Sequence, residues 1–266
     1  MNIIPLVLYF CAFVGYTLHF ARRTPVSARL ATTMLAAATL AHTFIVGMLT
    51  MQVGQVPVFD ATSAISMFVW LLAVAYLYTE VTTDERAMGV FILPLIVALQ
   101  AIPAFKAPAE VRSSVLQGPL FGIHVSSLLF AYASFALAFV IGITYVLLFK
   151  EIKTKHLGVF YARLPSLQVL DQMNQRAIVV GWVFLTIGLV AGGVFALQAH
   201  VPAMSIEDPK IFVALVSWVV YSFELFAARR IGWAGRKTAY VSALGFAIVL
   251  LNFTFISYFL TSSHKF

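Results

Sequence analysis

The sequence predicts an all-α fold: a polytopic membrane helical bundle of about eight transmembrane helices with both termini outside. Three observations carry that prediction. Of 266 residues 62% are hydrophobic and 10% charged, whereas a soluble domain carries about 25% charged residues. Mean hydropathy is +0.96. The apolar stretches are long enough to cross a hydrocarbon core of about 30 Å, and none alternates with the period of two that a membrane barrel strand requires.

The spans fall at about 3–20, 28–51, 61–79, 88–104, 118–149, 177–199, 211–228 and 238–261, in one transmembrane domain over 1–266 with no soluble domain or internal repeat. The first apolar run lacks a positive leading region and an A-x-A-like cleavage site, and Arg22 and Arg23 follow it, so it reads as a retained span. Alternate connections divide the 17 Lys and Arg residues 13 against 4. The rich side holds Arg22, Arg23, Arg29, Arg86, Lys150, Lys153, Lys155, Arg163, Arg176, Arg229, Arg230, Arg236 and Lys237, and the positive-inside rule makes it cytoplasmic. The net charge of +7 is thus an orientation signal spread over short loops, and no nucleic-acid partner is expected. Cys11 is the sole cysteine, which excludes an intramolecular disulfide, a CxxC dithiol and covalent CxxCH haem attachment.

The organising stretch is Leu116 to Lys150, which as a helix from Gly118 rises about 45 Å and overhangs the bilayer. It carries His124 about two turns inside its leading end. An ionisable group there avoids lipid, as a structural imidazole bonded to a neighbouring helix or as a metal ligand. The longest connection, Glu151 to Arg176, is cytoplasmic; Leu164-Pro165-Ser166 reads as a break and N-cap, and Leu167, Leu170 and Met173 behind it suggest a short surface helix. In the sixth span Gly188, Gly192 and their small neighbours form a face that a helix or a flat ligand can approach closely. Glu224, about two turns from the cytoplasmic end of the seventh span, is expected to snorkel toward Arg229 or Arg230, with a part in a polar path as the alternative.

Four of the six histidines gather in the outer half: His42, His124, His200 and His264. His19 and His156 lie on the cytoplasmic side. Imidazole suits iron, copper and zinc, but no HxxxH or HExxH spacing or clustered carboxylates accompany these residues. Two histidines from separate helices across an apolar slot suit haem, with Lys106, Arg112, Lys210 and Lys265 as outer cations for its propionates.

From about His42 to the end, over residues 42–266, the chain resembles the cytochrome c assembly family of haem-handling membrane proteins, which includes CcsA, CcmC and the HemX group. The likeness rests on PLFGIHVSSLLFAYASFALAF in the fifth span, LPSLQVLDQMNQRAIVVGWVFLTIGLVAGGVFA through the sixth, DPKIFVALVSW opening the seventh, GWAGRKTAYVSALGFAIVLLNF toward the eighth, and a histidine just after it. In that family an external Trp-rich segment, the WWD motif, holds haem between two flanking histidines. By position this implies haem b with His124 and His264 as axial ligands to the iron, Asp208, Pro209 and Lys210 at the end of the motif, and His42 as a histidine some members carry in an earlier span. The chain departs from the pattern between Ala196 and Asp208, where it has no tryptophan, at Phe195, which is often Trp, and at Phe226, where CcsA has a histidine. This weakened WWD motif is nearer the HemX branch than a full synthase.

The resemblance implies a protein that holds or delivers haem b at the outer face of a bacterial cytoplasmic membrane and is not an enzyme, with haem and further cytochrome c assembly subunits as partners. A HemX-type regulator acting on glutamyl-tRNA reductase through the Glu151–Arg176 connection is the nearest alternative. A b-type electron carrier and a small-molecule transporter without haem are the others.

Overall fold

In a computed structural model of the chain, residues 2–58, 60–106, 118–155, 158–199 and 209–251 are described, and all of their regular structure is helical. Local chemistry sets several helix ends. Helix α1 spans Ile3–Arg22 and α2 Pro25–Val53. Between them Thr24 and Ser27 form a reciprocal capping box with Pro25 in the first turn, and α2 stops at Gly54, whose φ of 75° suits a residue without a Cβ. Asp60 and Ser63 form a second box at the start of α3, Ala61–Thr83. Burial pushes the Asp60 carboxyl up, but hydrogen bonds from Ser63 and Thr62 outweigh it and hold the group below its ordinary value.

The remaining helices are α4 (Gly89–Phe105), α5 (Pro119–Thr154), the one-turn α6 (Val159–Arg163), α7 (Leu167–Ala199), α8 (Pro209–Phe226) with a π-helical turn over Ala227–Ile231, and α9 (Arg236–Leu251). Six helices among the described residues are long and apolar enough to cross a bilayer: α1, α2, α3, α5, α7, and α8 with its π-turn. Helix α4 is apolar but has 17 residues, about 25 Å of rise. The eighth expected span corresponds to α9 as far as Leu251, and its last ten residues lie outside the described ones.

The expected surface helix behind Ser166 is instead the first part of α7. Leu170 and Met173 are fully buried. Two charged residues in this stretch find partners within the bundle: Asp171 Oδ1 accepts from the Gly235 amide at 2.7 Å and Thr238 Oγ1 at 3.0 Å, and Arg176 donates to the Thr82 carbonyl. Nothing between Met173 and Ile178 breaks the helix, so the segment continues into the membrane.

Helix α1 packs on α2 and α4, and α3 on α2 and α4; α5 packs on α7 and α9, and α8 on α7 and α9. Helix α3 joins the two groups through contacts with α5 and α7. The ends meet as the charge count demands. On one face Asn2 Nδ2 donates to the Pro103 carbonyl, and Val56 lies against Gly122 at the start of α5. On the other, Arg163 donates to the Phe20 and Ala21 carbonyls and Arg86 to Thr32. That second face carries the surplus of Lys and Arg that the positive-inside rule expects on the cytoplasmic side.

Candidate functional site

The α5–α7 contact is built on missing side chains. A Cβ added at Gly181 would meet Phe135, one at Gly188 would meet Leu128, and one at Gly192 would meet the imidazole of His124. Seven residues along α7 from Gly181 to Gly188 match seven back along α5 from Phe135 to Leu128, and the next four match four, so the two helices run antiparallel in strict step. The small-residue face of the sixth span thus receives a helix, as small faces in membranes commonly do.

At the end of this contact remote from the Lys- and Arg-rich face His124, half-buried, lies on the α7 backbone with Nδ1 2.7 Å from the Gly188 carbonyl oxygen. A carbonyl only accepts, so Nδ1 carries the proton and donates, and the lone pair of the neutral ring sits on Nε2. One turn outward, Phe121 and Phe195 pack with ring centroids 5.7 Å apart. Metal-binding histidines are commonly held this way, one ring nitrogen donating to a backbone carbonyl while the other keeps its lone pair.

His42 is placed differently. It is fully buried, with Nδ1 3.2 Å from Tyr9 Oη and Nε2 3.1 Å from Ser66 Oγ, and it stands edge-on to the Tyr9 ring. Both ring nitrogens are therefore used in joining α2 to α1 and α3. His42 thus joins α1, α2 and α3, whereas His124 lies against α7. His264 and Asp208 lie outside the described residues, as does His200; Pro209 and Lys210 form the first turn of α8. His19, on the Lys- and Arg-rich face, has Nδ1 3.2 Å from Ser27 Oγ. No group of three or more His, Cys, Asp or Glu side chains suited to a metal ion occurs among the described residues.

Glu224 does not snorkel. It is 1% exposed, and its Oε1 accepts from Ser242 Oγ at 2.8 Å, while Arg229 and Arg230 are exposed on the π-turn. Turning inward gives the carboxyl a hydroxyl donor on α9. Ser242 Oγ also accepts from Asn174 Nδ2 at 3.0 Å, so three helices meet at one serine. A second buried carboxylate, Glu80, lies one residue past the expected third span (61–79), because α3 continues to Thr83. Glu80 accepts hydrogen bonds from Tyr16 Oη and Thr32 Oγ1 and joins α3 to α1 and α2.

With this geometry in place, comparison with known proteins adds two findings. The model of the family described as cytochrome C assembly protein matches residues 3–264, taking in α1 and the first part of α2 as well as the rest of the bundle. Among similar proteins, the cytochrome c biogenesis protein CcsA of Trieres chinensis is 26% identical, covering 84% of this chain and 81% of its own length. The CcsA proteins of Guillardia theta and Microcystis aeruginosa are each 25% identical, covering 88% and 85% of this chain and 83% of their own lengths.

Proposed function

This chain belongs to the cytochrome c assembly protein family, and from that premise we propose that it holds haem b near the outer face of a bacterial cytoplasmic membrane for transfer to apocytochrome. His124 and His264 would hold the haem iron in this reading. Its main support is the hydrogen bond from His124 Nδ1 to the Gly188 carbonyl, which fixes the ring plane, selects the tautomer with a lone pair on Nε2, and raises the basicity of that nitrogen. Gly192 leaves the room the ring needs. Phe121 and Phe195 supply an apolar wall one turn outward, and by its place in the sequence Lys210 is the cation this reading assigns to a propionate. When bound, haem contributes the redox-active iron; the residues of the chain hold it, orient it and limit water around it.

His42 has a different part. To ligate iron it would have to release Tyr9 or Ser66, so we assign it to holding α1, α2 and α3 together. Helical folding also takes up much of the connection on which the glutamyl-tRNA reductase reading depends. Helix α7 begins at Leu167, Glu151 Oε2 accepts from the Gly158 and Tyr161 amides, and Arg163 is bonded to α1. The CcsA relatives likewise favour cytochrome c assembly with partner subunits.

The test is the absorption spectrum of detergent-purified protein, oxidised and reduced, beside His124→Ala and His264→Ala. A Soret band with sharp reduced α and β bands that falls at least several-fold in both variants is the expected result. A wild type without haem, or a spectrum indifferent to both substitutions, refutes the assignment.

A further inference from the structure

Three buried side chains where α7, α8 and α9 meet carry polar atoms without a hydrogen-bond partner: Asn174 Oδ1, Glu224 Oε2 and Tyr221 Oη. They are 2%, 1% and 0% exposed. Asn174 and Glu224 are tied to the same hydroxyl, since Asn174 Nδ2 donates to Ser242 Oγ at 3.0 Å and Ser242 Oγ donates to Glu224 Oε1 at 2.8 Å. Each therefore has one polar atom on the shared hydroxyl and a second, buried oxygen without a partner. An amide oxygen only accepts, and an ionised carboxylate only accepts, so as long as Glu224 is ionised neither oxygen can satisfy the other. Leaving such acceptors unpaired in a low-dielectric interior is costly.

One proton removes the conflict. We propose that Glu224 and Asn174 form a proton-binding site inside the membrane, in which a proton on Glu224 Oε2 is donated to Asn174 Oδ1, directly or across one water. The proton comes from the cytoplasmic side and returns there, turning a carboxylate into a carboxylic acid and back. Polar groups mark the route. Asp171, half-buried near the cytoplasmic end of α7, accepts from Thr238 Oγ1 at 3.0 Å; Thr238 lies one helical turn before Ser242, whose hydroxyl is 2.9 Å from the Thr238 carbonyl. The site is independent of the haem reading, since it uses none of the histidines.

The charged and titratable surroundings favour a proton over an ion pair. From α7 the site faces Asp171, whose negative charge opposes a second one at Glu224. From α8 itself it has the phenol of Tyr221, whose ring stacks on Phe135 of α5 at 3.6 Å. Tyr145 of α5 lies against Gly235. The cations of neighbouring elements point elsewhere: Arg176 to the Thr82 carbonyl, Arg236 over Phe149, Lys237 over Trp233, and Arg229 and Arg230 outward. Among the described residues the one Lys or Arg ion pair is Arg86 with Asp84, remote from this cluster.

Infrared difference spectroscopy of the reconstituted full chain tests the proposal. The wild type at neutral pH should show the carbonyl stretch of a protonated carboxylic acid that shifts in heavy water. Glu224→Gln should lose it. Asn174→Ala should keep the acid and move its stretch to higher frequency, because a hydrogen bond to the acid proton is gone; this variant carries the test if Glu224→Gln does not fold. Three results would overturn the proposal: no such band in the wild type, a band unchanged by both substitutions, or a band abolished by sodium at constant pH, which would make the cluster a metal-cation site.

Discussion

The two halves of the bundle treat their buried polar groups in opposite ways. Among α1, α2 and α3 the buried polar residues are closed on one another: His42 between Tyr9 and Ser66, and Glu80 between Tyr16 and Thr32. Among α5, α7, α8 and α9, polar atoms of Asn174, Tyr221 and Glu224 stay unpaired, and His124 rests on a glycine-lined helix with one ring nitrogen committed to a carbonyl. Gln100 Oε1 on α4 is the exception on the first side. A closed network suits a scaffold, where every group already has its partner. The unpaired acceptors of Asn174 and Glu224 mark where a proton can bind.

Substitutions in each half can break that contrast. The largest stability effect is expected in the scaffold. His42→Ala removes a ring that bridges three helices and should cost about 2–3 kcal/mol, most of it from the cavity, because interhelical hydrogen bonds in membranes average about 0.6 kcal/mol each. Haem bound per folded molecule should not change. Thermal unfolding in detergent, read together with the Soret absorbance, checks both parts, and loss of haem from folded His42→Ala would move His42 into the binding half.

Gly192→Ala should do the reverse. Its Cβ would meet the His124 ring, so the ring must leave Gly188 or the helices must part, at about 1–3 kcal/mol for overpacking. The sharper readout is spectroscopic: haem content falls several-fold, or the low-spin fraction drops, while helical circular dichroism is kept. A full complement of normal haem in Gly192→Ala would separate the His124–Gly188 bond from haem binding.

The smallest effect concerns an ordinary scaffold cap. Asp60→Ala should cost about 1 kcal/mol near pH 7. Because hydrogen bonding holds the folded-state Asp60 carboxyl below its ordinary value, its contribution is present above the unfolded carboxylate range near pH 4 and disappears as pH falls through the lower folded value. The melting difference between wild type and variant should therefore close in acid, and a difference that persisted below pH 2 would show that the cap does not act through the charge.

Much of the scaffold could be read from the chain, because span length and Lys/Arg counting depend on composition alone. Expected spans such as 88–104 and 61–79 meet helices Gly89–Phe105 and Ala61–Thr83 within a few residues. What could not be read depends on partners distant in sequence. Asp171 and Arg176 fall in the connection expected at the membrane surface, and each meets its partner only when α7 packs beside α3 and α9. Glu224 is close in sequence to Arg229 and Arg230, yet it turns to Ser242 on another helix. For the candidate site, the chain indicated His124 and the glycine face separately; that the imidazole lies on that face follows from the antiparallel step of α5 against α7.

The most direct test of the central claim is chemical rescue at His124. In His124→Gly the low-spin haem spectrum should collapse, and added imidazole, free to enter the vacated space, should restore it, with His264 unaltered as the second ligand. Low-spin haem that persists in His124→Gly without imidazole would contradict the account, because the iron would then take its ligands elsewhere.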